Sequence, residues 1–156
     1  MMSRLTQWAF AAVVLTFLSA TARAQPPGYQ LTISNPAPGA QYAEGSNIAV
    51  SGNIAWFGGA ARPTEIRIRL YEEDGNGNPN LATIMSEDLA QVPSNASSPY
   101  HYSGNITAFQ VSGVNFKPAW IVVGALDQNG NVINDPTANA PVEEKRRIFI
   151  SNTNGS

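Results

Sequence analysis

The 156-residue chain has no cysteine and only one histidine, and just 13% of its residues are charged. Without cysteine it has no disulfides, no thiolate metal site and no cysteine nucleophile. The lone His101 cannot build a zinc site unless several carboxylates join it. A copper site would need His and Met in clusters, and Met85 is the only methionine beyond the first two residues. A Ser-His-Asp triad would have to recruit His101, but no Gly-x-Ser-x-Gly elbow surrounds any serine. His101 is expected on a strand between Tyr100 and Tyr102, facing solvent or a neighbour. The acidic pairs Glu72-Glu73, Glu87-Asp88 and Glu143-Glu144 are sequence neighbours. On strands, neighbours point to opposite faces, so no pair is preset for acid and base work. No cofactor and no metal are expected, and the chain reads as a non-enzyme.

Basic residues are scarce too. The only cluster, Lys145-Arg146-Arg147, follows Glu143-Glu144, which partly cancels its field. This argues against nucleic acid as a partner. Charges of this kind suit a strand edge, where they discourage pairing with another sheet.

Long apolar runs are missing except at the start. Arg4 opens the chain with positive charge, residues 8–18 are apolar, and Ala22-Arg23-Ala24 is a small-residue cleavage site. The apolar run is shorter than the ~20 residues of a spanning helix. Residues 1–24 therefore read as a signal peptide, with Gln25 as the first mature residue. No membrane span is expected after cleavage, and no cysteine follows that could carry a lipid. About 130 residues remain, one domain's worth. Loss of Arg4 and Arg23 leaves seven cationic against eleven acidic side chains, a net charge of about −4. A cysteine-free exported chain suits a bacterial periplasm or extracellular space.

Helical periodicity is absent after the leader, although residues 86–92 could hold one helical turn. Strand patterns dominate. They fall at 29–34, 47–56, 65–72, 81–89, 100–111, 119–127 and 146–151, at the spacing of a sandwich. The clearest is Glu65-Ile66-Arg67-Ile68-Arg69-Leu70-Tyr71. There Ile66, Ile68 and Leu70 belong to the core, and Arg67, Arg69 and Tyr71 point outward. The stretch Ala119-Trp120-Ile121-Val122-Val123-Gly124-Ala125-Leu126 is apolar on both faces and should be a central strand. Either Ile121, Val123 and Ala125 or Trp120, Val122 and Leu126 face inward. Residues 25–28 form a short leader, 29–151 the domain and 152–156 a flexible tail.

Two stretches carry motif-level signal. In residues 33–54, Ile33, Pro36, Gly39, Gly45, Ile48, Val50 and Gly52 give an apolar strand, a Pro-x-x-Gly turn and an apolar-x-apolar-x-Gly strand. In residues 124–132, Ala125-Leu126-Asp127-Gln128-Asn129-Gly130-Asn131 reads as a late strand running into a hairpin. Both resemble bacterial immunoglobulin-like and fibronectin type III-like modules of secreted proteins. The resemblance implies an all-β, immunoglobulin-like sandwich of about seven antiparallel strands in Greek-key order. Neither motif holds a family catalytic residue.

Asp74-Gly75-Asn76-Gly77-Asn78 and Asp127-x-Asn129-x-Asn131 place oxygen ligands at alternate positions, as calcium loops do. In the first, Pro79 and Met85 stand where an EF-hand loop has Gly and a bidentate Glu. Hairpin chemistry accounts for the same letters. Trp56 is expected in the core, while Tyr71, Tyr102 and Trp120 remain candidates for a sugar-stacking platform. Asn95, Asn105 and Asn154 stand in N-glycosylation patterns that are idle in a bacterial host. If the third, sixth and seventh expected strands share a sheet, its outer side carries Arg67, Arg69 and Tyr71, beside them a Trp120 or an Ile121 row, and either Arg147 with Phe149 or Ile148 with Ile150. Exposed, this is an interface composition with Arg67, Arg69, Tyr71, Trp120 and Phe149 as its candidates, and the alternative is that residues 90–99 or 136–141 fold over it. The expected partner is an envelope or extracellular protein or a second copy, with polysaccharide as the alternative and a hydrolase as the third reading. N-terminal sequencing of the exported protein should begin at Gln25; a product that keeps Met1 and stays in the membrane fraction would contradict the signal peptide.

Overall fold

The computed structural model describes residues 23–153. All of the expected signal peptide except Arg23 and Ala24 lies outside the described residues, as does Asn154 with its glycosylation pattern. The described chain is all-β. Its strands are β1 (Gly28–Asn35), β2 (Gln41–Ala43), β3 (Asn47–Phe57), β4 (Glu65–Glu73), β5 (Pro79–Gln91), β6 (Tyr100–Thr107), β7 (Phe116–Leu126), β8 (Asn134–Asp135), β9 (Ala140–Pro141) and β10 (Glu143–Ser151). Each of the seven expected segments is a strand. The short β2, β8 and β9 were not anticipated, since two or three residues carry no readable periodicity. Residues 86–91, read as a possible helical turn, continue β5. The expected strand 100–111 stops at Thr107.

Two sheets share one core. One has the order β1-β3-β6 and the other β2-β10-β7-β4-β5, while β8 and β9 form a separate small pair. All pairings are antiparallel except the parallel contact of β2 with β10. The strict alternation in β4 does what the sequence demands. Ile66, Ile68 and Leu70 are fully buried, and Arg67 and Arg69 are half-exposed on the other face. Opposite them Ile121, Val123 and Ala125 of β7 point into the same core, which settles the face that the sequence left open. Ile148 and Ile150 of β10 do likewise. The three-stranded sheet answers with Leu31, Ile33, Ile48, Val50, Ile54, Tyr102 and Ile106. Burying each large aliphatic side chain contributes about 1.5–3 kcal/mol.

One close approach organises the three-stranded sheet. Gly52 stands opposite Ile33 on one side and Tyr102 on the other. The Tyr102 ring is 1% exposed and its hydroxyl donates to Thr32 O at 2.8 Å. A methyl group on Gly52 would meet Thr32 O at 1.9 Å and the Tyr102 hydroxyl at 2.6 Å. The glycine therefore makes room for the buried tyrosine. Burial, with the Glu144 carboxylate close by, holds the Tyr102 hydroxyl well above its ordinary pKa.

The five-stranded sheet is wider than its partner, and its flanking β5 meets the free edge of β6 with polar side chains. Ser86 Oγ accepts from Thr107 N at 2.9 Å, and Asp88 Oδ2 from Asn105 N at 2.7 Å. On the other side Arg146 of β10 donates to Ile33 O of β1 at 2.6 Å. Arg146 thus does not act as a solvated edge charge. It turns toward the partner sheet, while Lys145 and Arg147 remain outside. β5 is also interrupted by bulges against β4 on either side of the Tyr71–Ile84 pair.

The two Asp-x-Asn-Gly-Asn segments fold alike. Asp74 Oδ1 accepts from Asn76 N and Asn78 N at 2.8 and 2.9 Å, and Asp127 Oδ1 from Asn129 N and Asn131 N at 2.8 and 3.0 Å. Gly77 and Gly130 take positive φ, 81° and 77°. These are the turns that the composition predicts, each closed by its own aspartate. At the end of the described residues Thr153 N and Oγ1 donate to the buried Glu44, and Asn152 N to Asn115 O, so these two residues of the expected tail are tied back.

Replacing Ile68 with Ala should cost about 2–5 kcal/mol, the range for large-to-small core changes. Arg67→Ala should cost less than about 1 kcal/mol. Thermal unfolding of the two variants checks this, and equal shifts would show the β4 register to be wrong.

Candidate functional site

The register of the five-stranded sheet places all five anticipated residues on its outer face. Tyr71 of β4 stands beside Trp120 of β7, which stands beside Arg147 of β10. One row over come Arg69, Val122 and Lys145, and next Arg67, Gly124 and Glu143. Phe149 lies opposite Pro118. Within each strand the outward residues are two apart in sequence, the period of one face, and the register sets the strands side by side.

Their exposure differs from the expectation. Tyr71, read as an outward contact residue, is only 4% exposed. It sits low on the face, in a shallow groove of about 210 Å³ shared with Arg67, Arg69, Leu81 and Val122. Val122 is also covered, at 6%. Neither residues 90–99 nor residues 136–141 line this groove; the bulged start of β5 supplies Leu81. Tyr102 faces the core and is no platform residue, and Trp56 is half-buried against the core. His101 is exposed on β6.

The polar groups of the face are mostly spent on one another. Arg147 donates to both oxygens of Glu73, at 2.6 and 2.8 Å, and Trp120 Nε1 donates to Glu73 Oε2 at 3.0 Å. The Arg147 guanidinium lies 5.1 Å from the centroid of Phe149, and Phe149 meets Phe116 edge to face with centroids 5.8 Å apart. Trp120, Glu73, Arg147, Phe149 and Phe116 thus form one continuous chain across three strands. Arg69 pairs with Glu87 and Lys117 with Glu72. Arg67 makes no ion pair among the described residues, which leaves one cation in the groove uncommitted. The three acidic pairs of neighbours split between opposite faces, as strand geometry requires: Glu73, Glu87 and Glu143 are outside, while Glu72, Asp88 and Glu144 point the other way.

The apolar signal missed by the sequence reading lies on β5. Among the described residues the large apolar side chains left exposed are Leu81, Ile84 and Leu89 of β5, Phe116 of β7, and Val114 just before it. Leu89 stands beside Arg67 and Ile84 beside Tyr71, so both share the outer face. Irregular pairing at the start of β5 blurs its alternation, which hid this rim. No group of three or more His, Asp or Glu able to hold a metal occurs among the described residues. No family model matches the chain, and no curated protein matches it.

The second recess is larger, about 760 Å³, and lies at one end of the domain. The start of β1, the β3–β4 connection and the loop after β7 line it. It draws on residues 127–134, which the sequence showed only as a turn.

Arg147, with Trp120 assisting and burial opposing, holds the Glu73 carboxyl below its ordinary value of 4.5. A carboxylate held low stabilises the fold above its unfolded-state pKa and loses that contribution as pH falls through the folded-state value. The parent protein should therefore lose more melting temperature between pH 7 and pH 3 than Glu73→Gln does. Parallel melting curves for the two across that range would show that Glu73 is not held by Arg147.

Proposed function

We propose that this chain is an exported, non-catalytic immunoglobulin-like module that docks a protein partner on the outer face of its five-stranded sheet. The sheet orders β1-β3-β6 and β2-β10-β7-β4-β5 support the immunoglobulin-like, Greek-key reading, because β3 to β4, β5 to β6 and β6 to β7 each cross from one sheet to the other. The segments 33–54 and 124–132 support it from the sequence side. Export rests on the first 24 residues of the sequence, and a bacterial envelope or extracellular setting on the lack of cysteine.

The observation that carries the docking role is the one-sidedness of the surface. Leu81, Ile84, Leu89 and Phe116, the large apolar strand residues left exposed, belong to the five-stranded sheet, while the three-stranded sheet presents polar residues such as Asn53, His101 and Asn105. Leu89 and Ile84 flank Arg67 and Tyr71, and the pre-formed Trp120–Glu73–Arg147–Phe149 chain adds a rigid polar and aromatic floor. Apolar side chains beside arginine and aromatic groups, already ordered, are what a protein interface uses. The partner is an envelope or extracellular protein or a second copy of the chain.

A photo-crosslinking side chain placed at position 67 in exporting cells should give one defined adduct, either a dimer or a single partner. The same group at position 53 on the opposite sheet should give none. Equal adducts at both positions, or none at position 67, would contradict the reading.

A further inference from the structure

We propose that the end cleft between the β3–β4 connection and the loop after β7 binds a neutral, polyhydroxylated ligand, a short stretch of saccharide. Its volume of about 760 Å³ falls within the ~300–1,000 Å³ of small-molecule sites, whereas the groove on the sheet face holds about 210 Å³. The site is separate from the proposed docking face.

The lining decides the chemistry of the ligand. Its two charged side chains are one cation and one anion, Arg62 and Asp127, and both have work to do within the fold. Arg62 Nη1 donates to Val92 O at 2.7 Å and Pro63 O at 3.1 Å, and Asp127 Oδ1 closes the turn through Asn129 N and Asn131 N. No net charge remains to select an ion. The amides of Gln128, Asn129, Asn131 and Asn134 are exposed at the cleft and make no hydrogen bond to other described residues. Each amide presents a donor and an acceptor side by side. A sugar hydroxyl is also both donor and acceptor, so neighbouring hydroxyls match these amides without charge. Tyr29, Val132 and Ile133 supply apolar surface for the C–H face of a ring.

The walls are held before any ligand arrives. Tyr29 N donates to the buried Asp135 at 2.8 Å and its hydroxyl to Ala61 O at 2.8 Å, which fixes the ring between two walls. Thr64 Oγ1 donates to Asp127 O at 2.7 Å, joining the β3–β4 connection to the turn after β7. Ile133 N donates to Ala125 O at 2.9 Å, pinning the far side of the loop to β7. A pre-ordered site loses less entropy on binding. An extended peptide fits less well, because it would need a free strand edge to pair with and alternating side-chain pockets.

The test is NMR titration of the mature protein with cellohexaose, xylohexaose, mannohexaose, hexa-N-acetylchitohexaose and maltohexaose at millimolar concentration. At least one should shift the side-chain amide signals of Asn129 and Asn134 to saturation. The double variant Asn129→Ala/Asn134→Ala should weaken that binding about tenfold or more at unchanged melting temperature, while Arg67→Glu should bind as the parent does. Silence from all five sugars, undiminished binding by the double variant, or tighter binding of an oligogalacturonate or a tripeptide would each overturn the proposal.

Discussion

A sheet of five strands packed on a sheet of three cannot bury all of its inner face, and the rest of the structure follows from that mismatch. β4 and β7 lie over the smaller sheet and carry isoleucine, leucine, valine and alanine inward. β5 overhangs, and where its inner side passes the edge of β6 it carries Ser86 and Asp88 in place of apolar residues. Those side chains satisfy backbone N–H groups of β6 that would otherwise lack a strand partner. At the opposite side Arg146 occupies a carbonyl of β1. Sheet edges are places where chains aggregate, and here side chains and bulges occupy them.

With these edges guarded, the proposed docking would use a face. The outer face of the wide sheet combines a fixed polar floor with an apolar rim, and its ion pairs show how the two coexist. Glu73 serves Arg147 and Trp120 at once, so a partner would meet an ordered surface rather than three mobile side chains. Under the proposed docking role, the uncommitted Arg67 beside Leu89 would offer the charge that orients a partner. The end cleft differs in kind: its charges are consumed internally and its amides are not. The two surfaces would therefore recognise different chemistry.

Much of the fold was legible because β4 as far as Leu70, and β3 around Gly52, keep a period of two. Ile66, Ile68 and Leu70 were assigned to the core and lie there. β7 was ambiguous for a physical reason. Its outer face is covered as well, with Val122 and Leu126 at 6% and 3% exposure, so both alternations are apolar. The five candidate residues do meet on one face, yet Tyr71 lies too deep to make the contact expected of it, since the bulged β5 brings Leu81 beside the same groove. Bulges shift a strand's alternation, and that is why Leu81 and Ile84 went unread. The end cleft was invisible for another reason: it is assembled from three segments far apart in sequence, which strand pairing and the hydrogen bonds of Tyr29, Thr64 and Ile133 bring together.

The account turns on the outer face of the five-stranded sheet being the working surface and the three-stranded face being plain solvent boundary. Hydroxyl-radical footprinting of the exported protein in its native setting, compared with the purified monomer, tests this directly. The account predicts protection of Leu81, Leu89 and Phe116 in the native setting, with His101 on the opposite sheet oxidised equally in both. Equal oxidation of the three apolar residues in both samples, or protection confined to His101, would contradict it.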